Sequence, residues 1–243
     1  MRNLIIGAAA LLAVAAPGIA SAQTGYVGVT WASVDADGAD TDDVIGVEGA
    51  VAFQGSGSIN FEVDAAVADS DDSDTVWGLT GHVYSRNDSY LFGGFVGVAD
   101  GSDSTTWTAG LEAAKYYARW TLAGSLAYAN NDDADVDAWG AAVEARVFPT
   151  DNFRLSGTIG WASIDSGLGD DDLLELGVGG EYQFEAFPVS IALAYAHDEL
   201  DEADIDSDTV SVALRYNWGG TLFDRDRRGA SQAGSSIFAS AVS

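Results

Sequence analysis

A two-residue alternation of apolar and polar side chains runs from Val44 to Ala68, broken once by the turn-forming run Gly-Ser-Gly-Ser. Successive side chains of a strand point to opposite faces. Val47, Val51 and Phe53 therefore share the face of Ile45, while Glu48 shares the other with Ala50 and Ala52. After the turn, Ile59, Phe61, Val63, Ala65 and Val67 face one way, and Asn60, Glu62 and Asp64 the other. Two strands of about ten residues, apolar on one side and polar on the other, are the unit of a transmembrane β-barrel.

The same pattern repeats to the end of the chain. It predicts about twelve strands, near Thr24–Val34, Val44–Phe53, Ile59–Ala68, Thr75–Ser85, Tyr90–Ala99, Thr105–Tyr116, Ala118–Ala129, Val136–Phe148, Phe153–Ile164, Leu173–Phe184, Val189–His197 and Thr209–Trp218. Ten strands is the alternative if one weak pair is miscounted. The fold class expected is all-β: a transmembrane antiparallel up-and-down β-barrel over residues 23–220. Short turns rich in turn-forming residues alternate with longer links. Those longer links hold 26 of the 38 acidic residues and no Lys or Arg. Short periplasmic turns and long acidic extracellular loops would give the barrel its two sides.

Aromatic residues mark the same two ends. Trp31, Trp77, Trp107, Trp139 and Trp161 fall in the apolar phase near the long links. Trp120 and Trp218, with Phe53, Phe153, Tyr182, Phe184 and Tyr216, fall in that phase near the short turns. Aromatic belts of this kind sit at lipid–water interfaces. A soluble β-sandwich also alternates, but it gives no reason for tryptophans at matching heights.

Residues 1–22 read as a cleaved signal peptide: Arg2, an apolar run over Leu4–Ala16, and Ala20-Ser21-Ala22 before Gln23. An exported chain without cysteine must be held by backbone pairing rather than disulfides. No later stretch approaches the ~20 apolar residues of a spanning helix. A net charge of −28 without any basic stripe disfavours nucleic acid as a partner.

From the Ala-Ser-Ala site to the aromatic-ended strand TVSVALRYNW, the chain resembles a small Gram-negative porin-family outer-membrane β-barrel. The resemblance implies residence in the outer membrane, contact with lipid and lipopolysaccharide, and handling by the barrel-insertion machinery. Such barrels commonly end at a terminal aromatic. Here Trp218 is followed by residues 219–243, so either Trp218 or Phe238 would carry that signal. The tail's composition reads as a flexible periplasmic segment; a sharper reading sends Arg225, Arg227 and Arg228 into the lumen as a plug.

With the apolar phase in lipid, the pore lining is Glu48, Glu62, Asp64, His82, Glu112, Arg119, Glu144, Arg146, Arg154, Glu175, Glu181 and Arg215. Small residues fill the positions between them. Twelve strands should leave a narrow wet passage, between filled eight-stranded and open sixteen-stranded barrels. The expected function is a passive channel for small hydrophilic solutes that prefers cations, because acidic rings admit them. The alternative is a non-conducting structural or surface-interaction barrel whose lumen charges pair with one another and whose acidic surface binds divalent cations. Catalysis is not expected: His82 and His197 accompany no nucleophile motif. No cofactor is expected either. Asp35, Asp37 and Asp40 are weak metal candidates, because their spacing departs from the calcium-loop pattern. Loosely held Ca or Mg on the acidic surface is the blander reading.

Overall fold

Twelve antiparallel strands close on themselves in the computed structural model, which describes residues 24–55, 57–70, 75–101, 104–167 and 169–229. They are β1 (Thr24–Ala36), β2 (Asp42–Gln54), β3 (Ile59–Ser70), β4 (Val76–Arg86), β5 (Tyr90–Gly101), β6 (Ser104–Tyr116), β7 (Trp120–Asn131), β8 (Val136–Thr150), β9 (Phe153–Ser166), β10 (Gly169–Gln183), β11 (Val189–Leu200) and β12 (Ile205–Trp218). Each pairs with its neighbours in sequence, and β1 pairs with β12 from Gly25↔Trp218 to Ala36↔Ser207. Closure leaves no unpaired edge, which is how a sheet satisfies its backbone in lipid. The expected signal peptide and Phe238 lie outside the described residues.

The apolar phase faces outward. Val29, Val96, Leu111, Leu126, Ile159, Val178, Leu193 and Leu214 are exposed on every side of the barrel, and the five outer tryptophans stand among them. Tyr117 stacks on Trp120 at 3.8 Å in the other belt. The outer edge of the apolar band is marked by carboxylates that also point outward. Tyr128 donates its hydroxyl to Asp137, and Tyr195 donates to Asp208 at 2.6 Å. A belt tyrosine thus anchors an aspartate where hydrocarbon gives way to water.

Two of the acidic links are largely strand. The β9–β10 ladder continues through Asp165↔Asp170 to Ser166↔Gly169. The β11–β12 ladder continues through Glu199↔Asp206, leaving only Asp201–Asp204 as a turn. Thirteen residues at about 3.4 Å each, tilted near 40°, rise about 34 Å, well past a ~25 Å apolar band. Backbone pairing does not stop where lipid ends, because polar side chains leave the ladder's donors and acceptors unchanged.

The tail, expected as flexible, opens instead with a helix, α1 (Leu222–Arg228). Thr221 caps it: the Thr221 Oγ1 accepts from the Asp224 N–H at 3.1 Å, and the Asp224 carboxylate accepts from the Thr221 N–H at 3.2 Å. Gly219 and Gly220, at φ +92° and +123°, join β12 to the helix through backbone conformations that L side chains resist.

Candidate functional site

The polar phase lines the lumen, where its charges meet in three groups. The first surrounds His82 on β4. Its Nε2 lies 2.8 Å from Asp64 of β3, and its Nδ1 lies 3.2 Å from Glu112 of β6. Glu62 stands opposite His82 in the ladder and is buried with it. Phe95, across from His82 on β5, packs its ring 5.5 Å from the imidazole. Tyr84, Leu91 and Tyr116 fill the wall nearby, so this side of the lumen is packed.

The second group centres on Glu181 of β10. Arg154 reaches it at 2.9 Å, Arg215 at 3.0 Å, and Ser190 donates to it at 2.6 Å. Asn217 donates to Ser190 at 2.9 Å. Arg215 also holds Glu48 at 2.8 Å. A carboxylate taken from water needs this many donors to remain ionised. In the third group, Arg146 of β8 pairs with Glu144 at 2.7 Å.

Helix α1 completes two of these groups. Asp226 meets Arg146 at 2.9 Å and accepts from Thr121 of β7 at 2.6 Å. Arg225 approaches Glu181 at 3.5 Å and lies over the Tyr26 ring of β1. Burial pulls the Arg225 guanidinium down to about 10 against the raising influence of Glu181. Arg227 lies over Tyr116 and donates to the carbonyls of Tyr117 and Trp120. Arg86 of β4 donates to the Gly229 carbonyl at 3.0 Å. Phe223 meets Phe148 edge-on at 5.3 Å. In a ring of twelve, β1 and β7 stand half a circumference apart, so a helix touching both lies inside the barrel mouth.

The expected lining divides by exposure. Glu48, Asp64, Glu144, Arg154 and Arg215 keep part of their surface toward the lumen, whereas Glu62, His82, Glu112, Arg146 and Glu181 are buried in the wall. Glu175 stands across from Asp198 toward the acidic end, half-buried. Arg119 is not a wall residue. It sits in the β6–β7 turn, donates to the Phe148 carbonyl at 2.9 Å and pairs with Asp151 at 2.6 Å at the rim. Tyr26, Arg86, Thr121, Ser190 and Asn217 also shape the lumen. Arg86 falls just past the expected Thr75–Ser85 strand, and the other four are uncharged lumen-phase residues that alternation alone does not single out.

The metal candidates do not converge. Asp35 stands opposite Asp208 one pair before the ladder ends, the Asp37 N–H donates to the Asp206 carbonyl at 2.9 Å, and Asp40 is exposed in the turn. Among the described residues, no group of three or more acidic, histidine or cysteine side chains is placed to hold an ion.

A sequence profile of Gram-negative porins matches residues 84–223, more than half of the chain. The chain belongs to the Gram-negative porin family. It is an outer-membrane channel protein for small solutes, and its place is the Gram-negative outer membrane. Solved barrels agree in fold. An outer-membrane channel from Pseudomonas putida F1 superposes with a TM-score of 0.61 at 11% identity, covering 80% of this chain and 94% of that one. The KdgM porin, solved in complex with disordered oligogalacturonate, gives 0.57 at 7% identity over 79% of this chain and 99% of that one. No curated protein matches the chain in sequence.

Proposed function

We propose that this porin passes small hydrophilic solutes with a preference for cations, which enter at its acidic end. The observation that carries the reading is the distribution of charge: 26 of 38 acidic residues lie in the longer links between strands, with no Lys or Arg among them, and those among the described residues gather at one end. Such a mouth concentrates cations before they meet the wall. Inside, Glu48, Asp64 and Glu144 keep carboxylate surface toward the passage beside Arg154 and Arg215. The lumen itself is therefore mixed, and the mouth supplies the preference.

The same acidic end suits divalent ions that bridge to anionic lipopolysaccharide, as a property of the surface rather than of one site. Trp218, the last belt aromatic, is the residue we assign to recognition by the insertion machinery. The protein is not assigned a catalytic role, since the His82 ring nitrogens both face carboxylates. Reversal potentials in planar bilayers under a KCl gradient test the reading. A cation-directed potential is expected, and an anion-directed one would overturn it.

A further inference from the structure

The most consequential feature beyond the barrel is a charged helix held across its inner mouth. We propose that α1 is an inner gate: docked, it closes the passage at the short-turn end, and release about Gly219–Gly220 opens it. This rests on the channel reading above.

Size makes the docked helix a stopper. Twelve strands about 4.8 Å apart and tilted near 40° enclose a ring roughly 24 Å across between backbones. Side chains reaching in about 5 Å from each wall leave roughly 14 Å. A helix with its side chains is about 10–12 Å across. The contacts agree with that fit, because α1 touches β1, β6, β7, β8 and β10, and its C-cap Gly229 reaches β4.

Chemistry makes the stopper releasable. Leu222 and Phe223 are its apolar contacts, with Leu222 buried and Phe223 against Phe148. Most of the remaining hold is through charged groups: Asp226 on Arg146 and Thr121, Arg225 on Glu181, and Arg227 on two backbone carbonyls. On release, each of these wall groups retains a partner in the barrel or can take water from the lumen. Arg146 keeps Glu144, and Glu181 keeps Arg154, Arg215 and Ser190. The wall thus stays paired in both states, as a two-state element requires. A seven-residue helix is marginal in water, so the undocked segment has little structure left to block with.

The far end of the helix offers a lock. A Cβ built on Gly229 would lie 2.6 Å from the Thr24 Cβ. A T24C/G229C pair therefore reaches the ~3.8 Å Cβ separation of a disulfide after a shift of about an ångström. The chain has no other cysteine to compete.

Single-channel recording in planar bilayers, with insertion verified, tests the gate. The full tail should give long closed periods with brief openings, and removal of residues 221–243 should give steady conductance several-fold larger. A synthetic peptide of residues 219–229 should block the truncated channel from the short-turn side only. Oxidised T24C/G229C should stay closed, and reductant should restore openings, which keeps the test available if the truncated chain fails to insert. Equal steady conductance with and without the tail would overturn the gate while leaving the channel standing. Oxidised and reduced T24C/G229C conducting alike would also overturn it. A truncated barrel that inserts and stays silent would overturn the channel reading, and the gate with it.

Discussion

Arg146 in the wall of β8 and Asp226 in α1 meet at 2.9 Å with both side chains almost wholly buried. Eighty residues of sequence separate them. This pair ties the end of the chain to the inside of the barrel, and Thr121 fixes its geometry from the neighbouring strand.

Replacing Asp226 by Asn removes the charge from that pair and should weaken docking by about 1.5–3 kcal/mol, the worth of a hydrogen bond to a charged group. Trypsin should then cleave at Arg225, Arg227 or Arg228 faster than in the parent protein, with the barrel itself still resistant. Unchanged cleavage would show that Asp226 does not hold the helix.

The capping box makes docking sensitive to acid. Burial pushes the Asp224 carboxyl up, but the Thr221 side chain and backbone donors, with Arg228, outweigh it and hold it below the ordinary carboxylate value. A group lowered by folding stabilises the folded state above its unfolded pKa and loses that contribution as pH falls through the folded one. Tail protection from proteolysis should therefore fall in acid below the usual carboxylate range, and D224N should lose part of that step. T221A should cost about 1 kcal/mol of helix stability at neutral pH.

Cation preference should depend on the mouth more than on the buried wall. Neutralising Asp201, Glu202 and Asp204 together, all exposed in the β11–β12 turn, should move the reversal potential toward zero. The shift should be larger at 0.1 M than at 1 M salt, where the screening length falls from about 10 Å to about 3 Å. E112Q should instead lower thermal stability with little change in selectivity, because Glu112 is buried against His82.

Lipid exposure of the apolar phase is tested at Val96, which stands on the outer face of β5 with 65% of its surface exposed. V96R should cost about 2–4 kcal/mol if the residue lies near the bilayer midplane. Urea-dependent folding into lipid vesicles measures it. No loss of stability would place that face out of lipid.

The strand count, the antiparallel up-and-down order, the division into lipid and lumen phases and the two aromatic belts were all legible in the sequence. Each follows from a period of two and from where tryptophans and acids fall along it, and both are local properties. Strand ends were less legible: Asp170 and Glu199 look like loop residues until their ladder partners are known. The sequence could place Glu62 and Glu144 in the same phase but not distinguish a buried carboxylate from a wetted one. That difference depends on how side chains of neighbouring strands, such as His82 and Phe95 beside Glu62, pack in the lumen. The helix was least legible, because seven residues rich in Arg and Asp show no amphipathic period and read as a solvated tail. Its place follows only from closure of the barrel, which brings Glu181, Arg146 and Thr121 around one opening that the segment after Trp218 can reach.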